Sequence, residues 1–99
     1  MNMNHVRGFA PQLFALAQKY GIAKISVFGS MARGTSTSAS DLDLLVEMRE
    51  GCSLFGIAGF SYEAEKLLGV PVDVIPVSAL PAVKDRDFVV NIQRDAIAL

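Results

Sequence analysis

The chain has 99 residues, 52% of them hydrophobic and 19% charged, and its formal net charge at pH 7 is −1. This length predicts a single domain over residues 1–99, and the apolar content excludes intrinsic disorder. The balanced charge lacks the basic footprint of a dedicated nucleic-acid binder, so we expect no direct nucleic-acid binding. No apolar run reaches the roughly 18 residues of a membrane-spanning helix. Some apolar surface should remain uncovered on so small a body, which favours a protein partner.

The sequence contains one cysteine, Cys52, and one histidine, His5. This excludes an intramolecular disulfide and a zinc site built from cysteine and histidine. The first residues, MNMNHVRG, are polar and do not resemble a hydrophobic signal peptide, so we expect a cytoplasmic protein with no membrane association. We expect His5 to lie in a frayed terminus and Cys52 in a loop, and we expect neither of these two residues to have a chemical role.

The first predicted elements are a helix and a strand, and the strand is followed by the pair Gly29-Ser30. Residues 9–20 place their apolar side chains on one helical face. Pro11 suits the first turn of that helix, and Gly21 suits the position just after it. Residues 23–28 are predicted as a short strand, which is followed by a turn or short helix over residues 30–33.

A loop and a second strand follow. The segment Gly34–Ser40 is small and rich in hydroxyl groups, which predicts a loop whose Ser36, Thr37, Ser38 and Ser40 side chains are solvated. Residues 41–47 are predicted as a strand because apolar residues alternate along it. Its aspartates therefore share the face opposite to that alternating set.

The predicted second half contains a helix, a strand and a helix. Residues 53–68 have helical spacing, although two glycines in the first half suggest that the helix begins only near Ser61. Residues 70–77 predict a strand whose two prolines favour an edge position or ragged strand ends. A final helix is expected from residue 78 or 79 to about Arg94. This order predicts an α/β (α+β) domain with a small mixed sheet of three to four strands flanked by helices.

Three aspartates are the candidate metal ligands. Asp41 and Asp43 lie two apart on a strand, so their carboxylates leave the same face, about 6.6 Å apart along the chain. Such a pair alone is more often a solvated strand face, but a divalent cation would relieve its repulsion, and Mg²⁺ prefers oxygen ligands. Asp73 is flanked by valines, where an unpaired carboxylate is costly to bury. It either faces water, pairs with an arginine, or lies beside the other two acids. In the last case the three could hold two Mg²⁺ ions about 3.5–4 Å apart, the arrangement used for displacement at phosphorus.

Gly29 and Ser30 are the candidate phosphate ligands. They lie where the first strand ends, and a glycine there allows the backbone to approach a phosphate closely. Arg33 follows one helical turn later and could reach the same phosphates. The alternative interpretation is an ordinary turn with a serine cap.

The spacing of these residues resembles a known family. Gly29-Ser30, ten further residues, Asp41-x-Asp43 and an acid in a later strand resemble the nucleotidyltransferases of the DNA polymerase β superfamily. The block GSMARGTSTSASDLDLLVE is most similar to the minimal, MntA-type nucleotidyltransferases. The resemblance covers nearly the whole chain and implies the polymerase β-like fold.

The resemblance also implies roles for the matched residues. Gly29 and Ser30 would hold the nucleotide triphosphate. Asp41 and Asp43 would ligate both metal ions, and Asp73 would ligate the catalytic ion and help to activate the acceptor hydroxyl. Arg33 matches a position that is usually basic in this subgroup.

Larger members of the superfamily have an additional domain that binds the acceptor, whereas only 26 residues follow Asp73 here. We therefore expect another protein to hold the acceptor, in a hetero-oligomer with this chain. The resemblance implies a HEPN-domain RNase toxin of HepT type as this partner. It also implies ATP as the substrate, two Mg²⁺ ions, and transfer of AMP to a toxin tyrosine.

Two alternatives remain open at the level of sequence. The chain could be a nucleotide- or partner-binding module that inhibits a toxin by occlusion. It could also be a small-molecule nucleotidyltransferase that gains its acceptor pocket by dimerising, although no acidic patch for an aminoglycoside is evident.

Overall fold

The structure, a computed structural model, describes residues 1–35 and 41–99. The hydroxyl-rich part of the predicted loop, residues 36–40, lies outside the described residues. The helices and strands in chain order are α1 (Met3–Gly8), α2 (Ala10–Tyr20), β1 (Ile22–Phe28), α3 (Gly29–Arg33), β2 (Leu42–Met48), α4 (Phe55–Leu68), β3 (Val72–Pro76), a 3-10 helix (Val77–Ala82), α5 (Arg86–Asp95) and β4 (Ile97–Ala98).

The strands form one mixed sheet in the order β3-β2-β1-β4. The β2–β3 pair is parallel, whereas β1 runs antiparallel to both β2 and β4. This confirms the predicted mixed α/β fold. It also confirms the edge position of β3, where a proline removes no hydrogen bond from a central ladder.

The sheet separates two apolar clusters. One contains Leu42, Leu44 and Val46 of β2, together with buried residues of α1, α2 and α4. The cluster on the opposite face contains Phe28 and buried residues of the 3-10 helix and α5. Since side chains alternate along a strand, the residues of β2 between the buried ones face α5. Asp43 is one of these residues.

The N-terminus differs from the prediction of a frayed segment. Residues Met3–Gly8 form helix α1, because the Asn2 side chain accepts a hydrogen bond from the backbone N–H of His5 at 2.9 Å. Val6 is fully buried and anchors the helix to the core. The imidazole of His5 is exposed and stacks on the ring of Phe9, with 5.7 Å between the ring centroids.

Helix α4 begins at Phe55, six positions before the start at Ser61 that its glycines suggested. A methyl group at Gly56 would collide with the carbonyl oxygen of Tyr20, and one at Gly59 would collide with the Tyr20 ring. The glycines therefore allow α4 to pack closely on the end of α2. Close packing offsets their low helix propensity.

The predicted final helix is two helices, and a strand follows that was not predicted. Pro81 lies inside the 3-10 helix, and Val83 after it is extended, so the helix cannot continue. Helix α5 starts afresh because the Asp85 carboxylate accepts a hydrogen bond from the backbone N–H of Phe88 at 3.1 Å. The short strand β4 then pairs with β1. No helix within residues 1–35 or 41–99 is long and apolar enough to cross a membrane.

Candidate active site

A row of three residues crosses the sheet at the end of β1. Phe28 lies opposite Asp43 on β2, and Asp43 lies opposite Asp73 on β3. Residues paired in this way point to the same face of a sheet, and neighbouring strands are about 4.8 Å apart. The two carboxylates are therefore neighbours. Asp41 is exposed and directly precedes the first residue of β2.

Gly29 places the backbone against one of these carboxylates. Its φ of 72° lies in the left-handed region, and a methyl group at this position would collide with the Oδ2 atom of Asp43. Two separate constraints, backbone conformation and space, therefore require glycine here.

Helix α3 is anchored to the core chiefly by Met31, with Ala32 packed against the same cluster. Met31 is 1% exposed and packs in the larger apolar cluster. Ser30 is partly exposed beside it, and its carbonyl oxygen accepts a hydrogen bond from the backbone N–H of Thr35 at 3.0 Å. The anchored methionine holds Ser30 at the surface next to the aspartates.

A cleft of about 730 Å³ lies between the sheet, α3 and α5. Gly29, Ser30, Arg33, Asp43 and Asp73 all line it, so the structure brings these five predicted site residues together. Asp41 does not belong to the lining. The remaining lining residues were not predicted; they are Phe28, Val74, Ile75, Phe88, Asn91, Ile92 and Asp95.

The electrostatics of the cleft centre on Asp43. Burial raises the pKa of this carboxyl above its ordinary value, and the negative charges of Asp73 and then Asp41 raise it further. Arg33 opposes these effects by favouring the ionised form. The cleft therefore holds excess negative charge that a cation would neutralise.

Arg33 has a partner that the sequence did not reveal. Its Nη1 atom donates a hydrogen bond to Oδ2 of Asp95 on α5 at 3.0 Å, and the Asp95 side chain is 11% exposed. The hydrogen bond from Arg33, assisted by one from Arg94, lowers the pKa of the Asp95 carboxyl. Arg33 thus lines the cleft while it ties α3 to α5.

The donor set fits a hard cation. Asp43 and Asp73 offer adjacent carboxylate oxygens, the ligand type that Mg²⁺ prefers. Within the two described ranges, 1–35 and 41–99, no group of three Asp, Glu, His or Cys side chains is close enough to hold a metal ion. Two of the three predicted ligands therefore meet in the cleft, and Asp41 lies at its margin.

The contribution of α5 to the cleft could have been recognised in part from the sequence. Residues 88, 91, 92 and 95 follow the spacing of one helical face, and all four line the cleft. Their spacing would have identified a common face. It could not have shown that this face turns toward the aspartates.

The cleft therefore brings a glycine-serine turn beside carboxylates on two adjacent strands. The chain belongs to the nucleotidyltransferase domain family, whose family model matches residues 13–98. It is therefore a nucleotidyltransferase enzyme, which confirms the resemblance found in its motifs.

Several known proteins are similar to this chain. A candidate protein adenylyltransferase of Methanocaldococcus jannaschii, MJ0435, is 38% identical over 87 residues, which cover 87% of this chain and 90% of the relative. The protein adenylyltransferase MntA of Thermococcus cleftensis is 38% identical over 65 residues, which cover 66% of each chain.

Solved structures confirm the fold. The structure of a candidate minimal nucleotidyltransferase matches with a TM-score of 0.79 and 34% identity, over 100% of this chain and 97% of that one. A toxin-antitoxin structure with AMP-PNP matches with a TM-score of 0.68 over 89% of this chain and 69% of that one. At 17% identity the second match shows the fold alone.

Proposed function

We propose that residues 1–99 form a single-domain, Mg²⁺-dependent protein adenylyltransferase that acts as an antitoxin. It transfers AMP from ATP to a hydroxyl group of a HEPN/HepT-type RNase toxin, and a tyrosine is the acceptor. The observation that carries the proposal is the alignment of Gly29, Asp43 and Asp73 around one cleft. The names of the relatives, protein adenylyltransferases, support the choice of reaction.

The residues of α3 would bind the triphosphate. The Ser30 hydroxyl can donate a hydrogen bond to a phosphate oxygen, and Gly29 lets the backbone approach that phosphate closely. The Arg33 guanidinium lies in the same wall of the cleft and supplies positive charge. These contacts would orient the α-phosphorus toward the carboxylates.

The carboxylates would organise the reacting groups. Asp43 and Asp73, with Asp41 beside them, would hold two Mg²⁺ ions, which when bound supply positive charge to the phosphates and acidify the acceptor hydroxyl. The hydroxyl oxygen forms a bond to the α-phosphorus. The bond from that phosphorus to the bridging oxygen breaks, and pyrophosphate leaves with the electron pair. Asp73, exposed at the sheet edge, accepts the hydroxyl proton.

The surface supports a protein as the acceptor. Several large apolar side chains are exposed in the described part of the chain, among them Phe55, which is 90% exposed. This agrees with the apolar excess of the sequence and favours a hetero-oligomer with the toxin. Use of ATP and a single, unpaired cysteine fit a reducing cytoplasm.

The test is a transfer assay. The purified chain is incubated with ATP labelled at the α-phosphate, Mg²⁺ and the HEPN-family RNase encoded beside it. We expect label on the RNase with the wild-type chain and none with Asp43→Ala. Asp87→Ala, which removes an exposed acid of α5 outside the cleft lining, is the matched control and should keep full transfer.

The same variants distinguish catalysis from occlusion. If Asp43→Ala still protects cells from the toxin, inhibition by occlusion replaces the proposed chemistry. If the wild-type chain labels no more RNase than Asp43→Ala does, the proposed reaction is wrong. Replacing the labelled tyrosine of the RNase by phenylalanine tests the acceptor.

A further inference from the structure

One face of α5 forms a wall along the length of the cleft. Phe88, Asn91, Ile92 and Asp95 all line the cleft from this face. At 1.5 Å of rise per residue, Phe88 and Asp95 are about 10.5 Å apart along the helix axis. The two ends of the wall therefore meet different parts of a ligand that lies along it.

The two ends differ in chemistry. At one end Asp95 is held by Arg33, next to the Gly29-Ser30 turn. The other end lies about two turns away and presents Phe88, in a cleft whose lining also includes the apolar Ile75. About 10 Å along the helix therefore separates the end of the cleft proposed to bind phosphates from the end that presents Phe88. A nucleoside triphosphate likewise has phosphates at one end and a base at the other.

Phe88 is not used to fill the core. Its side chain is 42% exposed, whereas its neighbour Val89 and the cleft residue Ile92 are 3% and 2% exposed. The Asp85 carboxylate accepts a hydrogen bond from the Phe88 backbone, which fixes the start of the helix. The Phe88 ring is therefore held in place by the helix and remains exposed in the cleft, where a ligand can contact it.

We propose that this end of the cleft is a nucleoside subsite, in which Phe88 stacks on the base of the substrate. Asn91 lies one turn toward Asp95, and its side-chain amide offers both a donor and an acceptor to the nucleoside. The subsite lies in the cleft of the proposed adenylyltransferase and rests on that function. Stacking is tolerant of base identity, so Phe88 supplies affinity for the nucleoside and favours the larger purines.

The test compares a ligand that has a base with one that has none. Binding of α,β-methylene-ATP and of inorganic tripolyphosphate to the full chain is measured by calorimetry with Mg²⁺ present. We expect Phe88→Ala to raise the Kd of the nucleotide by about 5- to 100-fold. The Kd of tripolyphosphate should stay unchanged, and Phe88→Tyr should bind the nucleotide within about twofold of wild type because its ring still stacks. Asn91→Ala should raise the nucleotide Kd by about 3- to 10-fold.

Val90→Ala is the matched control. Val90 lies on the same helix, is 58% exposed and is outside the cleft lining, so its truncation should change neither Kd. An equal loss of both ligands in Phe88→Ala would show a damaged cleft and overturn the subsite. So would unchanged nucleotide binding, including the case in which only toxin binding falls and Phe88 proves to be a partner contact.

Failure of the subsite is separable from failure of the proposed function. If the wild-type chain binds the nucleotide in the predicted Phe88-dependent way but transfers no AMP, the subsite stands and the adenylyltransferase activity is wrong. If the chain transfers AMP and Phe88→Ala binds the nucleotide normally, the activity stands and the subsite is wrong. Binding of neither ligand by the wild-type chain contradicts both.

Discussion

Gly29 has little freedom to change. Its positive φ excludes most side chains, and the space a methyl group needs is taken by the Asp43 carboxylate. Gly69 after α4 has nearly the same φ, 75° against 72°, but its surroundings are open. An alanine at Gly69 would therefore pay only for the left-handed backbone, whereas an alanine at Gly29 would also collide with Asp43.

We predict that Gly69→Ala lowers the free energy of unfolding by about 1–2 kcal/mol, the cost of a left-handed backbone, and that Gly29→Ala lowers it further because its methyl group also meets the Asp43 carboxylate. Gly29→Ala should in addition lower AMP transfer by at least about 100-fold, because a small displacement of reacting groups is enough for such a loss. Denaturant unfolding and the transfer assay measure the two effects. Equal transfer rates for the two variants would show that contact with Asp43 is unimportant.

At Asp43, stability opposes the negative charge that the proposed metal site would need. Burial and the neighbouring carboxylates raise its pKa, so the folded state disfavours its ionised form. The unfolded chain releases this proton near the ordinary value of 3.8, whereas the folded chain releases it at higher pH. Stability should therefore fall as pH rises through this interval.

We predict that Asp43→Asn raises the Tm of the metal-free protein at pH 7 by about 2–4 °C, because the amide carries no charge. The difference should disappear near pH 3, where both forms of residue 43 are neutral. AMP transfer should be lost at every pH. Thermal melts at pH 3 and pH 7 with a chelator test this, and a lower Tm for Asp43→Asn at pH 7 would contradict it.

At the level of elements, the sequence predicted types better than boundaries. Apolar periodicity identified α2, β1, β2, β3 and a helix in α4, because these segments bury a regular face. The predicted start of α4 near Ser61 was wrong. Helix propensity includes the energetic cost of a glycine but not the close contact with Tyr20 that the glycine permits. The break before α5 was missed because the cap at Asp85 acts only if the chain has already left the preceding helix.

The α4 contact leads to a prediction about two helical glycines. Gly56→Ala should lower the free energy of unfolding by about 1–3 kcal/mol, because the methyl group meets the rigid backbone carbonyl of Tyr20. Gly8→Ala, at the end of α1 where the space is open, should leave stability unchanged or raise it by up to about 1 kcal/mol. Urea unfolding measures both. A stabilising Gly56→Ala would show that α2 and α4 can separate freely.

The candidate site was predictable only in part, for a related reason. Gly29, Ser30, Asp43 and Asp73 lie near strand ends or directly after a strand, positions that can be recognised from the sequence, and all four line the cleft. The residues of α5 enter the cleft through packing across the sheet, which local spacing does not encode. The Arg33–Asp95 pair joins residues 62 positions apart, and nothing in the sequence near Arg33 indicates it.

At the scale of the whole molecule, a ligand in the cleft would join the sheet, α3 and α5. A ligand that binds only the folded state stabilises it by about 2.7 kcal/mol at 100 times its Kd. We predict that saturating Mg²⁺ and ATP raise the Tm by about 10 °C, and that a chelator removes most of this shift. Asp43→Ala should show little shift, whereas Asp87→Ala should respond like the wild-type chain. A melting curve that Mg²⁺ and ATP leave unchanged would argue against an assembled nucleotide site.

The link between Arg33 and Asp95 also bears on how the protein reaches its active form. Contacts between residues far apart in sequence close large loops, and such contacts form slowly because the entropy of the intervening chain must be lost first. The pairing of β1 with β2 can form early, since those strands are close in sequence. The cleft needs α5 as well. A refolding chain should therefore regain its secondary structure before it can bind ATP, and the onset of nucleotide binding should mark the moment at which α5 docks.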